Sequence, residues 1–309
     1  MYRSALLAVI AAYVTYLLVR VDGDFVLAHA RRKPEFWNGK VVLVTGASSG
    51  VGAALSEKLA SHGAKLILAG RDRGRLEAVQ KRCAATETMV LTMDAADLDS
   101  MPGVAAQAIA QFGRIDVYFN NAGRSQRSPA LHTPISVHQE LMQVDHFGPV
   151  ALTLALLPEL IQRKGSIITT NSVSGKFGAP LRSSYSAAKH ASKGFMDAVR
   201  LDLTNADTPI SITNIMLGTT RTQIAANAVT LDAEGKPVKY ADQNIAKGMD
   251  PAHVAELMLA SCENNLWEVW LVTPGVEKLA LYVNQYFPLL MPVLASLAKK
   301  HAQAATGGK

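Results

Sequence analysis

The stretch "KVVLVTGASSGVGAALSEKLASHG", Lys40 to Gly63, decides the fold. Val41 to Thr45 run without polar alternation, as a strand does when both faces of its sheet are covered. The turn "TGASSGVG" follows, Thr45 to Gly52, and then the helical pattern "ALSEKLASHG". Glycine permits a tight turn and the close approach of a pyrophosphate, whose charge the helix N-terminus stabilises. The candidate cofactor contacts here are Gly46, Ser48, Ser49, Gly50, Val51 and Gly52. A plain strand-to-helix loop with permissive glycines is the competing reading, and the order strand, turn, helix weighs against it.

Outward from this unit the same alternation repeats. "KLILAG", "TMVLTM", "IDVYFN", "GSIITTN", "SITNIM" and "WEVWLV" read as six further strands with longer helical patterns between them. The expectation is an α/β class fold: a Rossmann-type, doubly wound parallel sheet of about seven strands in a single domain. "MDPAHVAELMLAS" reads as a helix capped by Asp250 with Pro251 in its first turn. The mixed, polar stretch before it, 219–248, is where a substrate lid would sit.

Three later segments fit a dinucleotide lying along the strand ends. In "LAGRDRGRL", Arg71 stands where a 2′-phosphate wants a guanidinium and an NAD enzyme places a carboxylate. The reading is NADP(H) preferred, NAD(H) possible, with Arg71 as a solvated helix-start residue the plain alternative. "MDAAD" puts Asp94 and Ala95 after the third strand, where a carboxylate can accept from an adenine amino group. "NNAG" ends the fourth strand with Asn121, Ala122 and Gly123 beside the crevice.

Chemistry is suggested by "NSVSGKFGAPLRSSYSAAKHA", Asn171 to Ala191. On a helix Tyr185 and Lys189 are i and i+4 neighbours, so an ammonium lies near a phenol and favours its ionised form. Tyr185 then serves as acid or base, and Ser172, at the end of the fifth strand, can hold a substrate oxygen beside it. A lone Tyr and Lys at this spacing would suggest only an amphipathic helix; the glycine turn, "NNAG" and the upstream serine argue otherwise.

The ends of the chain carry a second kind of signal. "SALLAVIAAYVTYLLV", Ser4 to Val19, is apolar and would span about 24 Å as a helix. Residues 1–20 are read as a membrane or signal-anchor helix and 21–38 as a linker, followed by an oxidoreductase domain at 39–275. Residues 276–309 form an apolar C-terminal extension. A cleaved signal, with "AHA" at 28–30, and a buried N-terminal helix are the alternatives. Arg20, Arg31, Arg32 and Lys33 outnumber the lone Arg3 before the run, which leaves the body cytosolic by the positive-inside bias. "LALYVNQYFPLLMPVLASLAKK" near the C-terminus reads equally as pocket wall, membrane contact or core.

Composition narrows the classes. With 49% hydrophobic and 18% charged residues the chain is globular rather than disordered. The net charge of +6 is dispersed apart from "ARRK" at 30–33, with no zinc-ligand spacing or stacking-aromatic ladder, so no nucleic-acid partner is expected. Cys83 and Cys262 form no C-x-x-C pair or disulfide framework, and no metal site is expected.

These motifs together resemble the short-chain dehydrogenase/reductase family over roughly Gly39 to Thr273. By that resemblance Gly46, Gly50 and Gly52 match its TGxxxGxG turn, Asp94 its adenine contact and Asn120 to Gly123 its NNAG segment. Ser172, Tyr185 and Lys189 match its serine, tyrosine and lysine, with Tyr185 and Lys189 also cofactor contacts and the ammonium serving the ribose as well as the phenol. Thr222 falls where the PGxxxT threonine contacts the nicotinamide end. The apolar ends, "FGPVALTLALLP" and "SSYSAAKHA" are similar to the membrane-associated dehydrogenase/reductase member 7 subgroup. The resemblance implies a hydrophobic alcohol or carbonyl substrate (steroid, retinoid or lipid-like), an endoplasmic reticulum membrane, and a homo-oligomer formed through the long helices flanking the fifth strand.

Two positions depart from the family. Leu217 in "LGTTRT" replaces a proline. Asp145 in "VDHFG" replaces the asparagine counted among the catalytic residues, so it too is a candidate catalytic residue, and it touches the proton relay. It also favours a second reading: a membrane-associated nucleotide- or lipid-binding protein with this fold and impaired catalysis.

Overall fold

Every residue of β1 (Val41–Thr45) is buried, because alternate residues feed two different apolar layers. Val42 and Val44 face one layer, with Leu55, Leu59, Leu66, Leu68 and Met258. Val41 and Leu43 face the other, with Ile67, Met101, Leu152, Leu156 and Met196. A strand covered on both faces has no polar side to show, which is why its sequence lacks alternation. The computed structural model describes residues 9, 11–12, 31–208, 210–224, 227–231, 236, 238, 247–273, 275–293 and 296.

After β1 come α1 (Gly50–Ser61), β2 (Lys65–Gly70), α2 (Arg73–Arg82), β3 (Thr88–Thr92), α3 (Met101–Phe112) and β4 (Val117–Asn120). A two-residue strand β5 (Gln126–Arg127) precedes α4 (Ile135–Met142), a π-helical stretch at Gln143–Phe147 and α5 (Gly148–Arg163). The chain continues through β6 (Ser166–Ser172), α6 (Ser183–Asn205), β7 (Ser211–Leu217), β8 (Val229–Thr230), α7 (Pro251–Glu263), β9 (Glu268–Leu271) and α8 (Val276–Tyr286). The main sheet is parallel throughout, in the order β3-β2-β1-β4-β6-β7-β9. All seven strands expected from sequence are in it.

Strand order reverses direction between β1 and β4, and a crevice opens beyond their carboxyl ends, the usual ligand position in such sheets. A second sheet, unsignalled by any local pattern, pairs β5 in parallel with β8. That pairing ties the segment after β4 to the one after β7.

Asp250 caps α7 as expected, its side chain accepting from the His253 N–H with Pro251 in the first turn. Both cysteines are buried and free. Burial pushes the Cys83 thiol up to about 11 and Cys262 to about 12, so neither is a reactive thiolate.

At the N-terminal side, residues expected as linker are bound to the body. Glu263, buried at the end of α7, accepts from Trp37 Nε1 at 2.7 Å, from the Lys33 N–H at 2.8 Å and from Arg32 Nε at 3.0 Å. The anchor run and the "AHA" site lie outside the described residues, save for 9 and 11–12. Among the described residues one continuous helix, Ile135–Arg163, is long and apolar enough by length and composition to cross a membrane. Its Leu141, Leu152, Leu156 and Leu160 are fully buried in the protein.

The C-terminal extension divides. Ala280 and Leu281 of α8 are buried, whereas Phe287, Leu289, Leu290 and Val293 are exposed. Glu277 of α8 accepts from Thr219 Oγ1 at 2.5 Å, after β7, and Asn284 Nδ2 donates to Lys176 O, after β6. The helix therefore holds two loops at the cleft.

Candidate active site

The turn after β1 is held by polar groups that the motif does not advertise. Thr45 Oγ1 donates to Phe119 O and accepts from the Asn121 and Ala122 N–H groups at 3.0 and 3.1 Å. Asn121 Nδ2 donates to Thr45 O at 3.0 Å, and its Oδ1 accepts from Thr170 Oγ1. The side chain of Asn121 is thus committed to locking three strand ends together.

The glycines leave the room a dinucleotide needs. Gly46 has φ +65°, and a Cβ there would lie 2.9 Å from Ala122 Cα. A Cβ on Gly52 would come within 2.3 Å of Gly46 O, so the helix could not pack on its own turn. Ser49, the N-cap of α1, makes no side-chain cap bond, and Ser48, Ser49 and Val51 line the same cleft. A cradle shaped by missing Cβ atoms, beneath a helix N-terminus with no side-chain cap, fits a pyrophosphate.

The cleft holds about 1030 Å³. Arg71 is exposed on its wall, and Arg75, which the sequence reading missed, lies there too. Asp72 is engaged elsewhere: Oδ1 accepts from the Arg75 N–H at 3.0 Å and Oδ2 pairs with Arg75 Nε at 3.2 Å. Asp94 is exposed at the cleft, with Oδ1 accepting from the Ala96 N–H, and Ala95 is buried beside it. A Cβ on Gly148 would sit 1.9 Å from Ala95 O, so α5 packs directly on this loop. Thr222 lies against Gly50, where a Cβ would touch its methyl group at 3.1 Å.

Ser172, Tyr185 and Lys189 line one cleft with the glycine turn and are all nearly buried. Ser172 Oγ accepts from the Ser174 N–H at 3.1 Å, which leaves its own O–H to donate into the cleft. Lys189 Nζ lies 5.7 Å from the Tyr185 ring centroid and donates to Thr170 O. Asn171 Nδ2 donates to Lys189 O at 3.2 Å, tying the helix of Tyr185 to the strand of Ser172. The Tyr185 ring packs with Val137, Leu141 and Leu231, the last from the segment after β8.

Asp145 stands in the π-helical stretch, only 1% exposed. Oδ1 accepts from the Arg124 N–H at 2.7 Å, while Oδ2 is buried without a hydrogen-bond partner. A Cβ on Gly123 would lie 2.9 Å from Asp145 Oδ1 and 3.3 Å from Lys189 Nζ, so Gly123 leaves open the space between acid and ammonium. Burial drives the Asp145 carboxyl up to about 6, against the opposing pull of Lys189 and the Arg124 N–H. Arg124 pairs in turn with Glu140. Among the described residues no cluster of three or more His, Cys, Asp or Glu side chains could hold a metal.

A parallel doubly wound sheet with a glycine cradle at its switch point and a serine, tyrosine and lysine at one strand end defines a dinucleotide-dependent oxidoreductase. The profile of the short chain dehydrogenase family matches residues 40–232, and the chain belongs to that family. It is an oxidoreductase acting on CH–OH groups. The mouse protein "Dehydrogenase/reductase SDR family member 7B" is 36% identical over 288 residues, covering 91% of this chain and 88% of its own. The human "Dehydrogenase/reductase SDR family member 7" is 36% identical over 296 residues, covering 92% and 85%.

Solved structures share the fold. An alcohol dehydrogenase from the archaeon Thermococcus sibiricus, complexed with 5-hydroxy-NADP, aligns with a TM-score of 0.66 at 21% identity, covering 77% of this chain and 97% of that one. A short chain dehydrogenase/reductase from Burkholderia phymatum in complex with NAD aligns at 0.68 and 22% identity, covering 88% and 96%. Membership of the family supports a nicotinamide cofactor.

Proposed function

We propose that the protein interconverts an alcohol and a carbonyl on a hydrophobic small molecule, steroid, retinoid or lipid-like, with NADP(H) preferred over NAD(H). The observation that carries this reading is the convergence of Ser172, Tyr185 and Lys189 on the cleft that holds the glycine cradle. When bound, the nicotinamide supplies or accepts the hydride. The turn at Gly46, Ser48, Ser49, Gly50, Val51 and Gly52 would hold its pyrophosphate, Asp94 and Ala95 its adenine end, and Asn121, Ala122, Gly123 and Thr222 the rest of its path.

In the reductive direction the Ser172 hydroxyl donates to the substrate oxygen and holds it at the Tyr185 phenol. Tyr185 gives that oxygen its proton, and the nearby ammonium of Lys189 stabilises the phenolate left behind. The buried setting strengthens each of these interactions relative to water. Val137, Leu141 and Leu231 form a buried cluster on the phenol ring and hold it in place.

NADP(H) is favoured by two guanidinium groups, Arg71 and Arg75, on the cleft wall, while the adjacent carboxylate of Asp72 is engaged with Arg75. The apolar run and the basic residues after it support attachment to a membrane through the N-terminus with the body cytosolic, and the resemblance to the member 7 subgroup implies that the membrane is the endoplasmic reticulum. A homo-oligomer formed through α5 and α6, the long helices flanking β6, is what the resemblance to the family implies.

The test is turnover of steroid, retinoid and fatty carbonyls with NADPH and NADH, in wild type and Tyr185→Phe. The phenylalanine keeps the ring packing and removes the proton donor. A fall of about a hundredfold or more is expected, with dinucleotide affinity kept; near-normal turnover overturns the mechanism. Asp145, with its unpartnered buried oxygen, is the observation that favours a binding protein with impaired catalysis. That reading gains if the wild type is inert and Asp145→Asn restores turnover.

A further inference from the structure

Helix α6 opens with Ser183, Ser184 and Tyr185, so the proposed acid/base sits in the first turn, where backbone N–H groups have no partner within the helix. The N-cap residue, Arg182, makes no side-chain cap bond. The Ser184 N–H instead donates to Gln126 Oε1 at 2.9 Å, from 58 residues away in sequence. Gln126 is fully buried. With its oxygen so engaged, the amide nitrogen donates to Ser128 Oγ at 2.9 Å and Thr133 Oγ1 at 3.0 Å. Ser128 Oγ and Thr133 Oγ1 lie 2.8 Å apart, and Thr133 Oγ1 donates to Pro129 O, which closes the network.

The backbone of the same residue belongs to β5 and is in register with Val229 of β8. One side chain and its own backbone therefore join three parts: the first turn carrying Tyr185, the loop 126–133, and the segment leading to Leu231, which packs on the Tyr185 ring. We infer that Gln126 is a positioning residue for Tyr185: it caps the helix from a distance and couples the placement of the phenol to the pairing of β5 with β8. The inference rests on the reading of Tyr185 as acid/base. An amide suits the task because it accepts on one side and donates twice on the other.

Two variants separate the two halves of that role. Gln126→Leu keeps roughly the size and loses both halves; Gln126→Glu keeps the acceptor for Ser184 and loses the paired N–H donors. Hydrogen exchange on the protein without added ligand is the first readout. Protection at the Ser184 amide is expected to fall by about tenfold or more in Gln126→Leu and to persist in Gln126→Glu. The second readout is steady-state kinetics with NADPH and an apolar carbonyl. Gln126→Leu is expected to lower kcat by about tenfold, and Gln126→Glu to hold kcat within about threefold while raising KM, because only the loop hydroxyls lose their donor.

NADPH affinity, titrated on the same samples, is expected to stay within about twofold in both variants, since Gln126 is not in the cradle. Unchanged exchange at Ser184 in Gln126→Leu, equal kcat losses in both variants, or a parallel loss of NADPH affinity overturns the inference. If Gln126→Leu does not fold, the exchange pattern and kcat of Gln126→Glu decide: loss of both overturns it. Tyr185→Phe measured beside them tells the two proposals apart, because its full activity would sink the acid/base reading whatever Gln126 does.

Discussion

Asp145 stands where the family resemblance leads one to expect asparagine, and its surroundings set two measurable consequences. The carboxyl is held at about 6, above its ordinary 3.8, by burial. A group raised in the folded state contributes stability fully below its unfolded value, and that contribution is lost as pH rises through the folded one. Asp145 therefore costs stability from about pH 4 upward, with the loss complete above about pH 6–7. Asp145→Asn, which keeps an acceptor for the Arg124 N–H, is expected to add about 2–3 kcal/mol at pH 8 and little at pH 4, read by denaturant unfolding. An equal effect at both pH values would show that the carboxyl does not titrate across this range. The pH–rate profile of the wild type should carry an ionisation near 6 that the variant lacks, because an ionised Asp145 offsets the effect of Lys189 on Tyr185. Arg71 belongs to the same scale. Arg71→Ala is expected to weaken NADPH by about tenfold and NADH by less than about twofold, since only the former carries a 2′-phosphate. Arg75 beside it retains part of the preference, and equal weakening of both dinucleotides in a titration would make Arg71 a surface residue only.

At the scale of elements, the glycines distinguish packing from conformational freedom. Gly148 opens α5 with the space for a Cβ already filled by Ala95 O, whereas Gly103, in the first turn of α3, has nothing within 4 Å. Gly148→Ala is expected to destabilise by about 1–3 kcal/mol or to shift α5 off the Ala95 loop. Gly103→Ala is expected to stabilise by about 0.5–1 kcal/mol, through helix propensity alone. Thermal unfolding of the two side by side checks the contrast, and similar effects would refute it. The difference also shows what the sequence could and could not carry. The strands were readable because apolar runs covered on both faces have a local signature, and so was the glycine turn, whose spacing is local. Ser172, Tyr185 and Lys189 were readable as residue types at fixed spacing. The π-helical stretch that aims Asp145 was not, because "QVDHF" has no local feature that separates it from α-helix. The β5–β8 pair was hidden for the same reason, as two residues on each side carry no periodicity. The bond from Ser184 to Gln126 was hidden because the two residues, 58 apart, meet only when the sheet is assembled; Arg75 pairs locally with Asp72, and only the folded cleft puts it on the wall.

For the whole molecule, the question is how an apolar N-terminus is joined to a catalytic body, and Glu263 supplies the joint. Its buried carboxylate is satisfied by Arg32, the Lys33 N–H and Trp37 Nε1, all from residues that precede β1. Trp37 is itself fully buried and packs against Phe36 and Phe119. The segment from Arg31 onward thus belongs to the folded body, and whatever precedes it is attached at a fixed place beside the end of α7. Removing residues 1–30 should leave this joint whole, so a chain beginning at Arg31 is expected to unfold at the temperature of the full-length body. Removing residues 1–38 strips every one of those donors and leaves a buried, uncompensated carboxylate, a loss of about 3–5 kcal/mol. Glu263→Gln in that shorter chain should recover part of the loss, because a neutral amide is less costly to bury unpaired. The same truncations test the proposed anchor by a different readout. Full-length protein is expected in the membrane pellet after alkaline carbonate washing, and the chain beginning at Arg31 largely in the supernatant. If the Arg31 chain still pellets while unfolding normally, the exposed Phe287, Leu289, Leu290 and Val293 become the second membrane contact. If the two truncated chains are equally stable, neither Glu263 nor the packing of Trp37 is the joint.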